Sequence, residues 1–275
     1  MKPYQLIISD LDRTLLNDAM EVSPENKAAI AEIVGRGIDF VPSTGRTFVE
    51  IPAEVRELPG VRYLIYSDGA VIYDKQTNQH HCTGLSSHQV DAVWRILEDY
   101  AVCATVRHEG NSYLDVAKAG DFDDYRINEY FSALIHATAT KVSHLETFSR
   151  ALENVELFCV FFHSAEEQEQ ARLRLQSLPG VHIASSDPAN LEIYSDQAGK
   201  GKALHRICHM LSVTPEATVA MGDSPNDVSM LKEAGLSLAV SNACDALKDV
   251  AHRVICSNEE HVAKYLLENI LVEDE

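Results

Sequence analysis

The feature that most limits how this chain can fold is a recurring unit: a short, β-rich apolar run that stops on a polar cluster and gives way to an amphipathic stretch. YQLIIS (4–9), IDFVPST (38–44) and YLIYS (63–67) supply it near the start, and ATVAMG (217–222), LSLAV (236–240) and RVICS (253–257) supply it near the end. Between the first two runs, Ser23 and Pro24 make an N-cap and first helical position, and Ala29, Ile30, Ile33 and Val34 repeat at helical spacing, predicting a helix to about Arg36. Further helices are expected over Lys200–Leu211, from Pro225 and from Glu259. This is a βαβ rhythm, and it predicts an α/β fold with a Rossmann-like, doubly wound parallel sheet.

The rhythm is interrupted between about Thr83 and Ala189. There, strand-like runs such as VCATVRH (102–108) and VELFCVFFH (155–163) mix with two long polar helices, 86–99 and 165–177. The expected organisation is a core of residues 1–82 and 189–275 carrying an inserted α+β domain, 83–188. Turns are expected at Leu178-Pro179-Gly180 and Ser185-Ser186-Asp187-Pro188, and hinges near Thr83-Gly84 and Asp187-Pro188.

Charge narrows the partners. Forty-two acidic residues against 23 basic ones give a net charge of -19, which repels nucleic acid and anionic lipid. A small anion remains a fitting partner, because screening over about 10 Å leaves the decision to charges inside the site. The apolar run in MKPYQLIISDLD is too short for a signal peptide or a membrane span, so a cytoplasmic protein is expected. The six cysteines lack a CxxC pair and read as reduced core thiols. His205, Cys208 and His209 share an HRICH stretch, but no further ligand cluster accompanies it and zinc is not expected.

Ligand sites in doubly wound sheets lie at the carboxyl ends of strands, and there the polar residues gather. Asp10-Leu11-Asp12-Arg13-Thr14-Leu15 places two carboxylates one residue apart, suited to a nucleophile and an acid/base, or to a turn with capping aspartates. Ser43-Thr44-Gly45-Arg46 offers a hydroxyl, backbone N–H groups and a cation, all donors to phosphate oxygens. Lys200-Gly201-Lys202 opens a helix with a lysine able to balance a nucleophile and a phosphoryl group. Gly222-Asp223-Ser224-Pro225-Asn226-Asp227 presents two more carboxylates, hard oxygen ligands that suit Mg²⁺. Ser224, Pro225 and Asp227 also fit a capping box, which leaves Asp223 unexplained. Each cluster has a structural reading in isolation. Their joint placement at the ends of one sheet points to chemistry.

With DLDRTL, STGR, SDGAVIYD, KGKAL and GDSPNDVSML in order and spacing, the chain resembles the haloacid dehalogenase superfamily, and within it the Cof-type phosphatases with a class IIB cap. The resemblance implies that Asp10 is a nucleophile and Mg²⁺ ligand, and that Asp12 is the acid/base and binds metal through its carbonyl. It also implies that Thr44, with Gly45, Arg46 and Asn226, holds phosphate, that Lys200 balances charge, and that Asp223 and Asp227 complete the metal shell. The inserted domain would be a cap selecting among small phosphate monoesters. An acid at Asp12 favours phosphate transfer, since the family's dehalogenases lack one there. A phosphomutase and a non-catalytic phosphate-binding protein are the alternatives, separated by release of inorganic phosphate. Arg13 and Asp68 depart from the Cof-type pattern, which has glycine and asparagine there. Arg13 could offset the charge of Asp68, Asp68 could bind a cationic or hydroxyl-bearing part of the substrate, or Asp68 could cap the turn before Gly69.

Overall fold

The computed structural model describes residues 4–120 and 122–272. The chain divides into two compact units, one of residues 1–45, 51–81 and 199–275, the other of residues 46–50 and 82–198. In chain order the strands are β1 (Leu6–Asp10), β2 (Asp39–Ser43), β3 (Tyr63–Tyr66), β4 (Val71–Asp74) and β5 (Gln79–Cys82). They continue with β6 (Val102–His108), β7 (Asn111–Asp115), β8 (Thr140–Val142), β9 (Leu157–Phe162), β10 (Val181–Ala184) and β11 (Asn190–Ser195), then β12 (Thr218–Gly222), β13 (Leu236–Ala239) and β14 (Arg253–Val254).

The first unit holds an eight-stranded sheet in the order β14-β13-β12-β1-β2-β3-β4-β5. Pairing is parallel from β14 through β3 and turns antiparallel only at β3/β4. Every residue of β1 is buried, which is why LIIS reads as a continuous apolar run instead of an alternating one. Burial of each Leu or Ile in such a strand stabilises the fold by about 1.5–3 kcal/mol. The order matters for function. The chain leaves β1 toward β2 and β3, and later leaves β12, on the other side of β1, toward β13 and β14. That reversal opens a crevice at the carboxyl end of β1, where doubly wound sheets bind ligands.

The helix Pro24–Gly35 starts as its sequence predicts: the Ser23 hydroxyl accepts from the Asn26 N–H at 3.2 Å, with Pro24 in the first turn. It buries Ala29, Ile30 and Ile33. The helix Lys200–Leu211 follows Gly199 at φ 108 and is ended by Ser212 in the left-handed conformation at φ 57; its buried face is Lys200, Ala203, Leu204, Ile207 and Cys208. Three expected elements are shorter or later than predicted. RVICS forms a strand only over Arg253–Val254. The helix expected from Glu259 begins at Val262, after a 3-10 turn over Asn258–Glu260. Pro225–Asp227 is likewise a 3-10 turn, which leads into the helix Val228–Glu233.

The second unit is α+β, a six-stranded sheet in the order β10-β11-β9-β6-β7-β8. Phe158, Val160 and Phe162 of β9 alternate onto one face and form a core with Val90, Val93, Trp94 and Leu97 of the helix Ser87–Leu97 and Ala171 and Leu175 of the helix Ala165–Leu175. Trp94 satisfies its indole N–H on Ser149 Oγ at 2.7 Å, the partner a buried Trp needs. The boundary expected at 188/189 falls at 198/199. The reason is β11: it pairs antiparallel with both β9 and β10, so residues 190–195 belong to the second sheet.

Candidate active site

Strand register sets the site's floor. Asp10 is level with Ser43 across β1/β2, and Ser9 with Met221 across β1/β12. The first residues past each strand, Leu11-Asp12, Thr44-Gly45 and Asp223, therefore leave the sheet at one height. Asp10, Asp223 and Asp227 each offer a carboxylate oxygen within 4.8 Å of the others, and all three residues are buried. Among the described residues this is the only group of histidine, cysteine or carboxylate ligands so assembled.

Lys200 completes it. Its Nζ donates to Asp10 Oδ1 and to Asp227 Oδ1, each at 2.6 Å, with the lysine side chain 1% exposed. Burial alone would depress the ammonium, but Asp10 and Asp227 outweigh it and hold Lys200 above its ordinary range. Burial first, then Asp227, pushes the Asp10 carboxyl well above the usual value, against the pull of Lys200. Burial and then Asp227 raise Asp223 to about 6, opposed by Lys200 and Arg13. One buried cation thus faces three close carboxylates, and the arrangement has room in its electrostatics for further positive charge. Three hard oxygen donors in a buried group can hold a metal ion.

The turn after β12 is built around Asp227. Its Oδ2 accepts the N–H groups of Asp223 and Ser224, each at 3.1 Å, which frees Oδ1 for Lys200. Gly222 is required by space: a Cβ there would stand 2.5 Å from Asp227 Cγ. The capping role expected of Asp227 and its place in the acidic group are therefore the same geometry.

The loop after Asp10 is held from outside. Arg13 sits at φ 57 and ψ 14, the left-handed region, which costs a non-glycine residue about 1–2 kcal/mol. Asn242 Nδ2 donates to the Arg13 carbonyl at 2.8 Å, Asn258 Nδ2 to that of Leu16 at 3.2 Å, and Asn26 Nδ2 to that of Leu15 at 3.4 Å. These asparagines carry no motif in the sequence. The one local sign was a buried asparagine, Asn26, on the apolar face of its helix. Asp12 is half-buried, and its carboxylate is not part of the buried acidic group.

The remaining expected residues separate. Thr44 is buried, and its N–H donates to Ile65 O at 3.0 Å. Gly45 closes the first unit's first segment, whereas Arg46 belongs to the second unit, where its guanidinium donates to the Glu50 carbonyl at 2.9 Å. His205 on helix Lys200–Leu211 lies 2.8 Å from Glu233 and, among the described residues, belongs to no group of three such ligands. Arg13 does not pair with Asp68: its guanidinium, two-thirds exposed, lies 3.9 Å from Asp223 Oδ2. Asp68 accepts instead from Asn226 Nδ2 at 2.8 Å, and Asn226 Oδ1 accepts from Ser224 Oγ at 2.7 Å.

The sequence matches the family described as haloacid dehalogenase-like hydrolase over residues 7–266. It is 29% identical over 285 residues to the phosphatase YwpJ of Bacillus subtilis, covering 97% of this chain and 100% of that protein. It is 28% identical over 261 residues to the 5-amino-6-(5-phospho-D-ribitylamino)uracil phosphatase YcsE of the same organism, covering 94% of this chain and 93% of that one. Its fold superimposes on the subclass IIB sugar phosphatase BT4131 with a TM-score of 0.79 over 98% of this chain and 100% of the other, at 19% identity. Among the described residues no helix is long and apolar enough to cross a membrane.

Proposed function

We propose, for a chain that belongs to the haloacid dehalogenase-like hydrolase family and is an enzyme of its phosphatases, that it hydrolyses a small phosphate monoester through an aspartyl-phosphate on Asp10, with Mg²⁺ as cofactor. The observation that carries this reading is the bridge from Lys200 Nζ to Asp10 and Asp227 within a buried three-carboxylate group.

The donor set fits Mg²⁺, which takes one or two carboxylates together with waters and a phosphate oxygen. When bound by Asp10, Asp223 and the Asp12 carbonyl, with Asp227 in its outer shell, the ion would neutralise phosphate charge. The protein's own groups do the rest. A neutral Asp10 is no nucleophile, and burial pushes its carboxyl toward neutrality, so Lys200 is needed to hold it ionised. An Asp10 oxygen attacks phosphorus, the phosphorus–alkoxide bond breaks, and Asp12 donates its proton to the departing oxygen. Asp12 then takes a proton from water, which attacks the same phosphorus and frees Asp10 and inorganic phosphate. Thr44, Gly45 and Asn226 are assigned to phosphate oxygens. Uncatalysed monoester hydrolysis is so slow that positioning and charge stabilisation must together supply roughly 20 kcal/mol.

Two relatives act, by their names, on a ribityl phosphate and a sugar phosphate, which supports a polyol or sugar phosphate as substrate. The choice of alcohol is assigned to the inserted unit. Asp10→Asn, which keeps an acceptor for Lys200, should leave the circular dichroism spectrum unchanged and lower Mg²⁺-dependent phosphate release by at least a thousandfold. A variant retaining a few per cent of wild-type turnover would show that Asp10 is not the nucleophile.

A further inference from the structure

Asp68 is a buried carboxylate that the mechanism leaves unused. It lies on the turn Ser67-Asp68-Gly69, whose three residues have φ values of 48, 51 and 83. The turn is tied in place by its backbone: Asp68 N–H donates to Thr44 O at 3.1 Å, Gly69 to Tyr66 O at 3.2 Å and Ala70 to Ser67 O at 3.0 Å. The side chain caps nothing in that turn. Oδ1 accepts from Asn226 Nδ2, and Oδ2 is buried with no hydrogen-bond partner, in a residue 2% exposed.

Its surroundings locate this unfilled oxygen. A Cβ on Gly45 would stand 3.1 Å from both Asp68 oxygens, so both carboxylate oxygens face the glycine assigned to the phosphate. Asp68 is also among the charges that hold Lys200 protonated, yet the two hydrogen bonds of Lys200 go to Asp10 and Asp227. The amide of Asn226 is fixed at both ends, by Asp68 and by Ser224. The hydrogen bonds of these two donors therefore go elsewhere or to the other oxygen. A deprotonated phosphate oxygen has no hydrogen to give and is repelled by a carboxylate. A buried carboxylate oxygen needs a donor.

We infer that Asp68 Oδ2 is an acceptor subsite for an O–H or N–H donor carried by the alcohol part of the substrate close to its ester oxygen. Asp68 thereby selects hydroxy- or amino-alcohol phosphates over simple alkyl phosphates. This rests on the hydrolytic reading above and adds a specificity-determining residue to it. The same geometry accounts for an aspartate where the Cof-type pattern has asparagine, whose Nδ2 would meet the donor with a second donor.

The test is Asp68→Asn, which keeps the shape and an acceptor for Asn226 but turns Oδ2 into a donor. Two matched pairs serve as probes: glycerol 1-phosphate against propyl phosphate for a hydroxyl, and phosphoethanolamine against ethyl phosphate for an ammonium. Wild type should favour the donor-bearing member of at least one pair, and the pair showing it identifies the donor. Asp68→Asn should cut kcat/KM for that member about 10- to 100-fold, the range for a lost hydrogen bond to a charged group, while the plain alkyl ester is unchanged or improved. Inhibition by inorganic phosphate should hold or tighten, because a negative charge has gone. If both members of each pair fall together, or neither moves, Oδ2 is filled by water or is merely structural, and the inference is overturned. Thermal shifts of the two proteins by the same pairs read the subsite without turnover, so a failure of the hydrolytic reading, seen with Asp10→Asn, stays distinct from a failure of this one.

Discussion

Replacing Lys200 with Met removes one charge and little volume, and the site's geometry sets the size of the effect. At the 4.8 Å that bounds the group, two unit charges in an effective dielectric near 20 repel by about 3.5 kcal/mol, so the three pairs together reach about 10 kcal/mol. Lys200, 2.6 Å from two of them, contributes about 6 kcal/mol of attraction to each on the same scale. The lysine therefore roughly cancels the repulsion. Without it, about 10 kcal/mol would rival the whole stability of a protein, and the carboxyls would take up protons instead. The net loss should then settle near the 3–5 kcal/mol typical of a broken buried pair. At about 2–4 °C per kcal/mol for a chain of this size, that is a fall in Tm of about 6–20 °C. Circular dichroism melts of both proteins at neutral pH, with and without millimolar Mg²⁺, give the readout. Mg²⁺ should raise the Tm of Lys200→Met more than that of wild type, because it brings positive charge to the same carboxylates. A variant that melts with wild type, or an equal Mg²⁺ effect on both, would refute the charge argument.

Gly222→Ala drives a methyl group into the Asp227 carboxylate and should cost about 1–3 kcal/mol with a tenfold or greater loss of kcat; Gly35→Ala, with nothing within 4 Å of the added carbon, should gain about 0.5–1 kcal/mol. Full activity in Gly222→Ala would mean that Asp227 is free to move without consequence. Excising residues 82–198 and bridging the ends with a flexible linker should spare hydrolysis of a small activated ester and abolish discrimination among the esters of a phosphomonoester panel. Unchanged selectivity would remove the inserted unit from substrate choice.

What could be read from sequence was whatever has a local cause. The helix Lys200–Leu211 matched its predicted bounds because a glycine precedes it and its buried face repeats at helical spacing. Val102–His108 did so because it is an unbroken β-rich run. β11 was missed because its buried residues include Asn190 and Glu192, so NLEIYS looks like the exit from a turn and not like a sheet interior. Its place is set by pairing with β9 and β10, which no short window contains. Asp10, Asp223, Asp227 and Lys200 were legible as a set because each follows a recognisable strand or opens a recognisable helix. The partners of Asp68 and the asparagines that hold the Arg13–Leu16 carbonyls were not, since Asn226 lies 158 residues from Asp68 and Asn242 lies 229 from Arg13. Arg46 adjoins Gly45 in sequence, but the chain passes into the other unit between them.

Hydrolysis by way of a covalent bond between phosphorus and Asp10 leaves a stereochemical signature. The most direct measurement is the stereochemical course of hydrolysis, using a phosphate monoester made chiral at phosphorus with oxygen isotopes and turned over in isotopically distinct water. Attack by Asp10 followed by attack of water inverts the centre twice, so inorganic phosphate should form with net retention. Net inversion would mean that water attacks the ester directly, and would contradict the covalent route.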